Sequence, residues 1–143
     1  TEAWLLHLSF GAVCQEMDKI RIENQSLIGF RGQVETVLTQ AWPTADVLFA
    51  GQPRLPNTSA VVLNGVNGEA LRMAVDVSGV CVGFGAACSA LAPEPSPALI
   101  ALGLSSQQAR ATLRISLPTQ LDPKILKLAL QQLSAVGKRL LQR

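Results

Sequence analysis

Charge is sparse in this chain: charged side chains make up 15% of its 143 residues, and 12 basic against 10 acidic groups leave a net charge of +2. So even a balance gives no ground for a nucleic-acid surface. Beside 48% hydrophobic residues, the low charge also excludes disorder, because disordered chains are poor in apolar residues and rich in charge. Long apolar runs are missing too, none approaching the roughly 18 to 20 residues of a membrane span. No basic stretch precedes the apolar residues after Thr1-Glu2-Ala3, which argues against a secretory signal. Cysteines number three, Cys14, Cys81 and Cys88. An odd count without a C-x-x-C pair argues against a disulfide framework and a zinc site, and reduced thiols fit a cytoplasmic protein without a membrane or nucleic-acid partner.

What is present fits one domain over 1–143, long enough for a real core. Apolar spacing predicts a helix from Ala3 to about Ile22, and a second from Leu27 to Ala41, stopped by Pro43 and weakened by Gly29 and Gly32. Val47-Leu48-Phe49-Ala50 and Ser59-Ala60-Val61-Val62-Leu63 read as strands, with turns at Asn64-Gly65 and Asn67-Gly68. Glu69 to Val77 reads as a helix capped by Asn67. Val80-Cys81-Val82 and Thr112 to Leu117 read as strands, the second with inward and outward alternation. Ser105 to Gln108 has capping-box form. A last helix is capped by Asp122 and opened by Pro123, with Ile125, Leu126, Leu128, Ala129, Leu133, Val136, Leu140 and Leu141 as its apolar stripe. Its Lys124, Lys127 and Lys138, with Arg139 and Arg143, read as a solvated face. The expected fold is therefore α+β, a small mixed or antiparallel sheet packed with helices.

Chemistry concentrates around Cys88. It follows Gly83-Phe84-Gly85-Ala86-Ala87 and precedes a loop containing Pro93, Pro95 and Pro97, so its thiol is expected on an exposed, mobile segment from about Phe84 to Ser96. A nucleophilic role requires access and a favoured thiolate; the alternative is a buried structural cysteine. Cys14 and Cys81, in an amphipathic helix and an apolar strand, are expected to be buried. Gly83-x-Gly85 lacks the third glycine of the dinucleotide fingerprint, and a Pro-rich loop stands where a phosphate-binding helix would begin.

Four segments in order carry a resemblance: Arg54-Leu55-Pro56-Asn57-Thr58, Gly68-Glu69-Ala70-Leu71, Gly85-Ala86-Ala87-Cys88-Ser89 with Glu94-Pro95-Ser96, and Leu113-Arg114-Ile115-Ser116-Leu117. Together they resemble the C-terminal part of the cysteine desulfurases, long-loop branch, which belong to the class V aminotransferases. Ala101-Leu102-Gly103-Leu104-Ser105 and Ala109-Arg110 fit as well. The resemblance implies the small C-terminal domain of a fold-type I pyridoxal-phosphate enzyme that takes sulfur from L-cysteine and leaves alanine. It implies Cys88 as the thiol that becomes a persulfide and Arg114 as the clamp on the substrate carboxylate; the bland alternative for Arg114 is a strand-edge cation. Thr1 stands near the position that contacts the cofactor phosphate of the partner subunit in a homodimer. A sulfur-acceptor protein is implied as partner, in iron-sulfur cluster assembly or another sulfur-transfer route.

The family's cofactor lysine, its acidic partner and its ring-stacking histidine lie upstream in the family. Lys19, Lys124, Lys127 and Lys138 match none of them, and His7 reads as a packing or surface residue, so this chain alone is expected to be inactive. Gly83, Phe84 and Ala86 depart from hydroxyl residues usual in the family, which leaves substrate choice open to another sulfur or selenium amino acid. Rival readings are a lyase or aminotransferase relative without persulfide chemistry, and a non-enzymatic sulfur-carrier or interaction module.

Overall fold

The computed structural model of the chain describes residues 2–85 and 94–141. Three helices come first, α1 (Trp4–Gln15), α2 (Met17–Gln25) and α3 (Ile28–Ala41). Strands β1 (Ala45–Val47) and β2 (Thr58–Leu63) follow, then α4 (Gly68–Val77) and the two-residue β3 (Gly83–Phe84). After the loop come α5 (Pro97–Ala101), α6 (Ser106–Arg110), β4 (Thr112–Ser116) and the long α7 (Pro123–Leu141). The strands form one antiparallel sheet in the order β1-β2-β4-β3. This is the expected α+β layer, with antiparallel pairing throughout.

Local capping chemistry explains several boundaries. Asn67 opens α4 by accepting from the backbone N–H groups of Glu69 and Ala70, both at 3.0 Å, which satisfies donors a helix start leaves unpaired. Ser105 and Gln108 make the reciprocal capping box of α6. Asp122 accepts from Lys124 N–H at 2.8 Å ahead of α7. One face of the sheet is covered by α3 and α7, and the core joins Val34, Leu38 and Trp42 to Val61, Leu63 and Leu113 and to Leu126, Leu130, Leu133 and Val136. The buried stripe of α7 steps by four, three and four residues from Leu126 through Leu130 and Leu133 to Gly137, so it keeps to one face. Ile125 and Leu128, expected in that stripe, point outward.

Four expectations need correction. The strand expected at Val80-Cys81-Val82 is irregular, because pairing with β4 begins at Gly83; β-branched composition does not choose register. The first strand runs over Ala45–Val47 rather than Val47–Ala50, since Phe49 adopts φ 58° and turns the chain away. Cys14 and Cys81 are both exposed rather than buried. Helix α1 is apolar around its circumference, not amphipathic, and neither it nor α2 contributes a buried residue.

Candidate functional site

Strand β4 lies between β2 and β3 and sends alternate side chains to opposite faces. Leu113 is fully buried in the core, so its neighbour Arg114 lies on the other face, half-buried. Ala60 on β2 and Gly83 on β3 are the direct cross-strand partners of Arg114, and such partners share a face. Two residues along β4, Ser116 faces Thr58, their hydroxyl oxygens 3.3 Å apart. Arg114 thus stands on a floor of small residues: Thr58, Ala60, Gly83 and Ser116. Among the described residues it pairs with no carboxylate. A guanidinium left open in this way can grip a carboxylate through two parallel, charge-assisted hydrogen bonds.

Several contacts hold this floor in place. Asn57 closes the end of β4: its side chain donates to the Leu117 carbonyl at 3.1 Å, while Leu117 N–H donates to the Asn57 carbonyl at 2.8 Å. Beyond β3, Gly85 N–H donates to the Thr112 carbonyl at 3.1 Å, and the Thr112 hydroxyl donates to the Gln108 carbonyl at 2.8 Å. Ser96 is buried against Gly85, where a Cβ on the glycine would lie 3.5 Å from the serine Cβ. The two flanks of segment 86–93 are therefore adjacent. Cys88 falls in that segment and Thr1 at the terminus, both outside the described residues, as is most of the loop expected to be mobile.

A charged cluster that sequence reasoning missed sits on the opposite, core-facing side. Glu35 of α3 accepts from Arg54 at 2.7 and 3.4 Å and from the Ser59 hydroxyl at 2.7 Å, with Arg31 Nε 3.8 Å away. Burial works against the Glu35 charge, but the hydrogen bonds from Arg54 and Ser59 and the charges of Arg54 and Arg31 outweigh it, holding the carboxyl below its ordinary range. The cluster ties the 54–57 loop and β2 to α3. No sequence signal linked Glu35 to Arg54, which lies 19 positions away.

Lys19, Lys124, Lys127 and Lys138 are exposed on α2 and α7, and His7 is exposed, edge-on to Trp4 at 6.5 Å. None of these residues lies on the floor around Arg114, so they do not fit a site that would hold pyridoxal phosphate covalently. Among the described residues no three His, Cys, Asp or Glu side chains converge as metal ligands, and no helix is long and apolar enough to cross a membrane.

No family model matches the chain. A cysteine desulfurase of Klebsiella pneumoniae is 31% identical over 111 residues, 77% of this chain and 28% of that protein. A cysteine desulfurase of Cereibacter sphaeroides is 39% identical over 87 residues, 61% of this chain and 22% of that protein. This chain is a relative of the cysteine desulfurases. It spans less than a third of the length of those two relatives. A NifS-like protein from Rickettsia africae matches its fold with a TM-score of 0.64 at 19% identity, over 82% of this chain and 29% of that one. The cysteine desulfurase motifs divide physically: Arg54 and Asn57 brace the sheet, Gly68 opens α4, and Arg114 lies half-buried on the sheet face opposite Leu113.

Proposed function

We propose that this chain is the C-terminal small domain of a pyridoxal-phosphate-dependent cysteine desulfurase, with Arg114 as the clamp on the α-carboxylate of L-cysteine and Cys88 as the sulfur acceptor. The observation that carries the reading is Arg114 itself, a strand cation free of protein carboxylates among the described residues and set on small side chains. A structural strand-edge cation has no need of that clearing. Cys88 lies three residues after Gly85 in sequence, and Gly85 continues the strand that pairs with Arg114.

The exposed apolar shell of α1 supports the domain assignment. Trp4, Leu5, Leu8 and Phe10 are each 70–80% exposed, and a helix apolar on all sides belongs inside a larger body. The large cofactor-binding part of the enzyme is the body that supplies this cover and the cofactor's lysine.

In the proposed reaction, Arg114 holds the carboxylate and so fixes the substrate's orientation. When bound, pyridoxal phosphate supplies the electron sink that allows the carbon–sulfur bond to break. The Cys88 thiolate attacks the substrate sulfur; the new sulfur–sulfur bond leaves a persulfide on Cys88, the carbon keeps the electron pair of the broken bond, and a proton completes alanine. One cysteine and one thiol give one alanine and one persulfide, with no external oxidant. The enzyme acts as a cytoplasmic homodimer and passes its sulfur to an acceptor protein. The test is alanine formation by the full-length enzyme with L-cysteine and a reductant: Cys88→Ser is expected to abolish turnover while leaving the cofactor's colour, and undiminished turnover would refute the assignment of Cys88.

A further inference from the structure

Resting on the reading of Arg114 as the carboxylate clamp, we infer that Gly83 is a positioning residue, the bare surface against which the Arg114 guanidinium is laid before substrate arrives. Gly83 and Arg114 are direct partners across the β3–β4 ladder. A Cβ built on Gly83 would stand 3.2 Å from both Nε and Nη2 of Arg114 and 3.5 Å from Cζ. Those three atoms belong to the guanidinium fork, so the fork folds back onto the β3 backbone rather than reaching into solvent. Ala60, the other cross-strand partner, keeps the opposite flank low.

A long side chain held in one place before binding loses less freedom when its ligand arrives, and two-point carboxylate recognition depends on where the planar fork lies. Gly83 provides both conditions by having no side chain; the hydroxyl residue usual at this place in the cysteine desulfurases would carry a Cβ, so this close seat is particular to this chain. Alanine at this position pushes the fork away by a few tenths of an ångström; a β-branched residue displaces it further. The ligand class is a small amino acid presenting one carboxylate, since Thr58, Ala60 and Ser116 add no second charge to the floor.

The experiment uses the full-length enzyme with Gly83→Ala, Gly83→Val and Arg114→Ala, and repeats both glycine changes on an Arg114→Lys background. KM for L-cysteine is expected to rise roughly threefold for Gly83→Ala and roughly tenfold for Gly83→Val, the scale of weakening one charge-assisted hydrogen bond, with kcat nearly constant. Calorimetric binding of L-alanine, which has no thiol to react, should weaken in the same order. On the Arg114→Lys background the glycine changes should have no further effect, because there is no fork left to place. Gly83→Ala, the smaller change, keeps the test valid if Gly83→Val fails to fold. If Arg114→Ala leaves KM unchanged, the clamp reading itself fails. If Arg114→Ala weakens binding and the Gly83 variants do not, the clamp stands and the inference about Gly83 is overturned. A fall in kcat at constant KM, or an equal loss on the lysine background, also overturns it.

Discussion

Replacing Gly137 with alanine separates tertiary packing from helix propensity. In an isolated helix this change stabilises by about 1 kcal/mol, because glycine has more backbone freedom to lose. Here Gly137 lies in α7 directly under Trp42, which is fully buried, and an added Cβ would stand 2.9 Å from three atoms of the indole ring. Carbon atoms prefer about 3.5–4.0 Å, and overpacking a filled core costs about 1–3 kcal/mol. The ring is enclosed between α3 and α7 and cannot swing aside, so a net loss of about 1 kcal/mol is expected, with a fall in Tm of about 3–5 °C. Gly32 is the control: it lies in α3 with nothing within 4 Å of a built Cβ, so Gly32→Ala should gain up to about 1 kcal/mol. Urea unfolding followed by tryptophan fluorescence reads both, since Trp42 is buried while Trp4 is 70% exposed. If Gly137→Ala proves as stable as Gly32→Ala, the Trp42–Gly137 contact does not limit the packing of α7 and the reasoning fails.

Gly68→Ala should destabilise by about 1–3 kcal/mol, because its Cβ would come to 2.5 Å from the Arg110 carbonyl oxygen; an unchanged melting curve would contradict it. Glu35 has a folded pKa held below its unfolded value, so its contribution is complete above the ordinary glutamate range and is lost as pH falls through the depressed folded value. Glu35→Gln should therefore flatten the acid limb of stability against pH, and should cost about 1–3 kcal/mol near neutrality by removing the carboxylate charge beside Arg54 and Arg31. Cys14 and Cys81 are exposed, so both should react with a thiol reagent in the folded isolated chain. In the full-length enzyme Cys14 should be protected by whatever covers α1, and equal labelling in both contexts, read by peptide mass spectrometry, would count against the domain assignment.

Elements with local signals were legible in the sequence. Asn67, Ser105 and Asp122 announce α4, α6 and α7 because capping needs only neighbouring residues. Strands β2 and β4 were legible from short apolar or alternating runs bounded by turn residues. Register was not, since β3 is defined by what β4 offers it and not by the apolar run at Val80-Cys81-Val82. The exposure of Cys81 follows from that shift. For α1, apolar spacing indicated a helix but not which side would be covered, because nearly every side is apolar. In the site, Arg114 stood out through resemblance, whereas its floor of Thr58, Ala60, Gly83 and Ser116 is scattered in sequence and assembled only by cross-strand pairing. The Glu35–Arg54 pair was hidden for the same reason.

The measurement closest to the central claim is the mass of the Cys88 peptide after the full-length enzyme meets L-cysteine labelled with a heavy sulfur isotope. Rapid trapping with an alkylating reagent and proteolysis should show one labelled sulfur atom added at Cys88 and at neither Cys14 nor Cys81, with the yield at low cysteine falling in Arg114→Ala. A Cys88 peptide that stays unmodified while labelled sulfide and alanine accumulate would contradict the account.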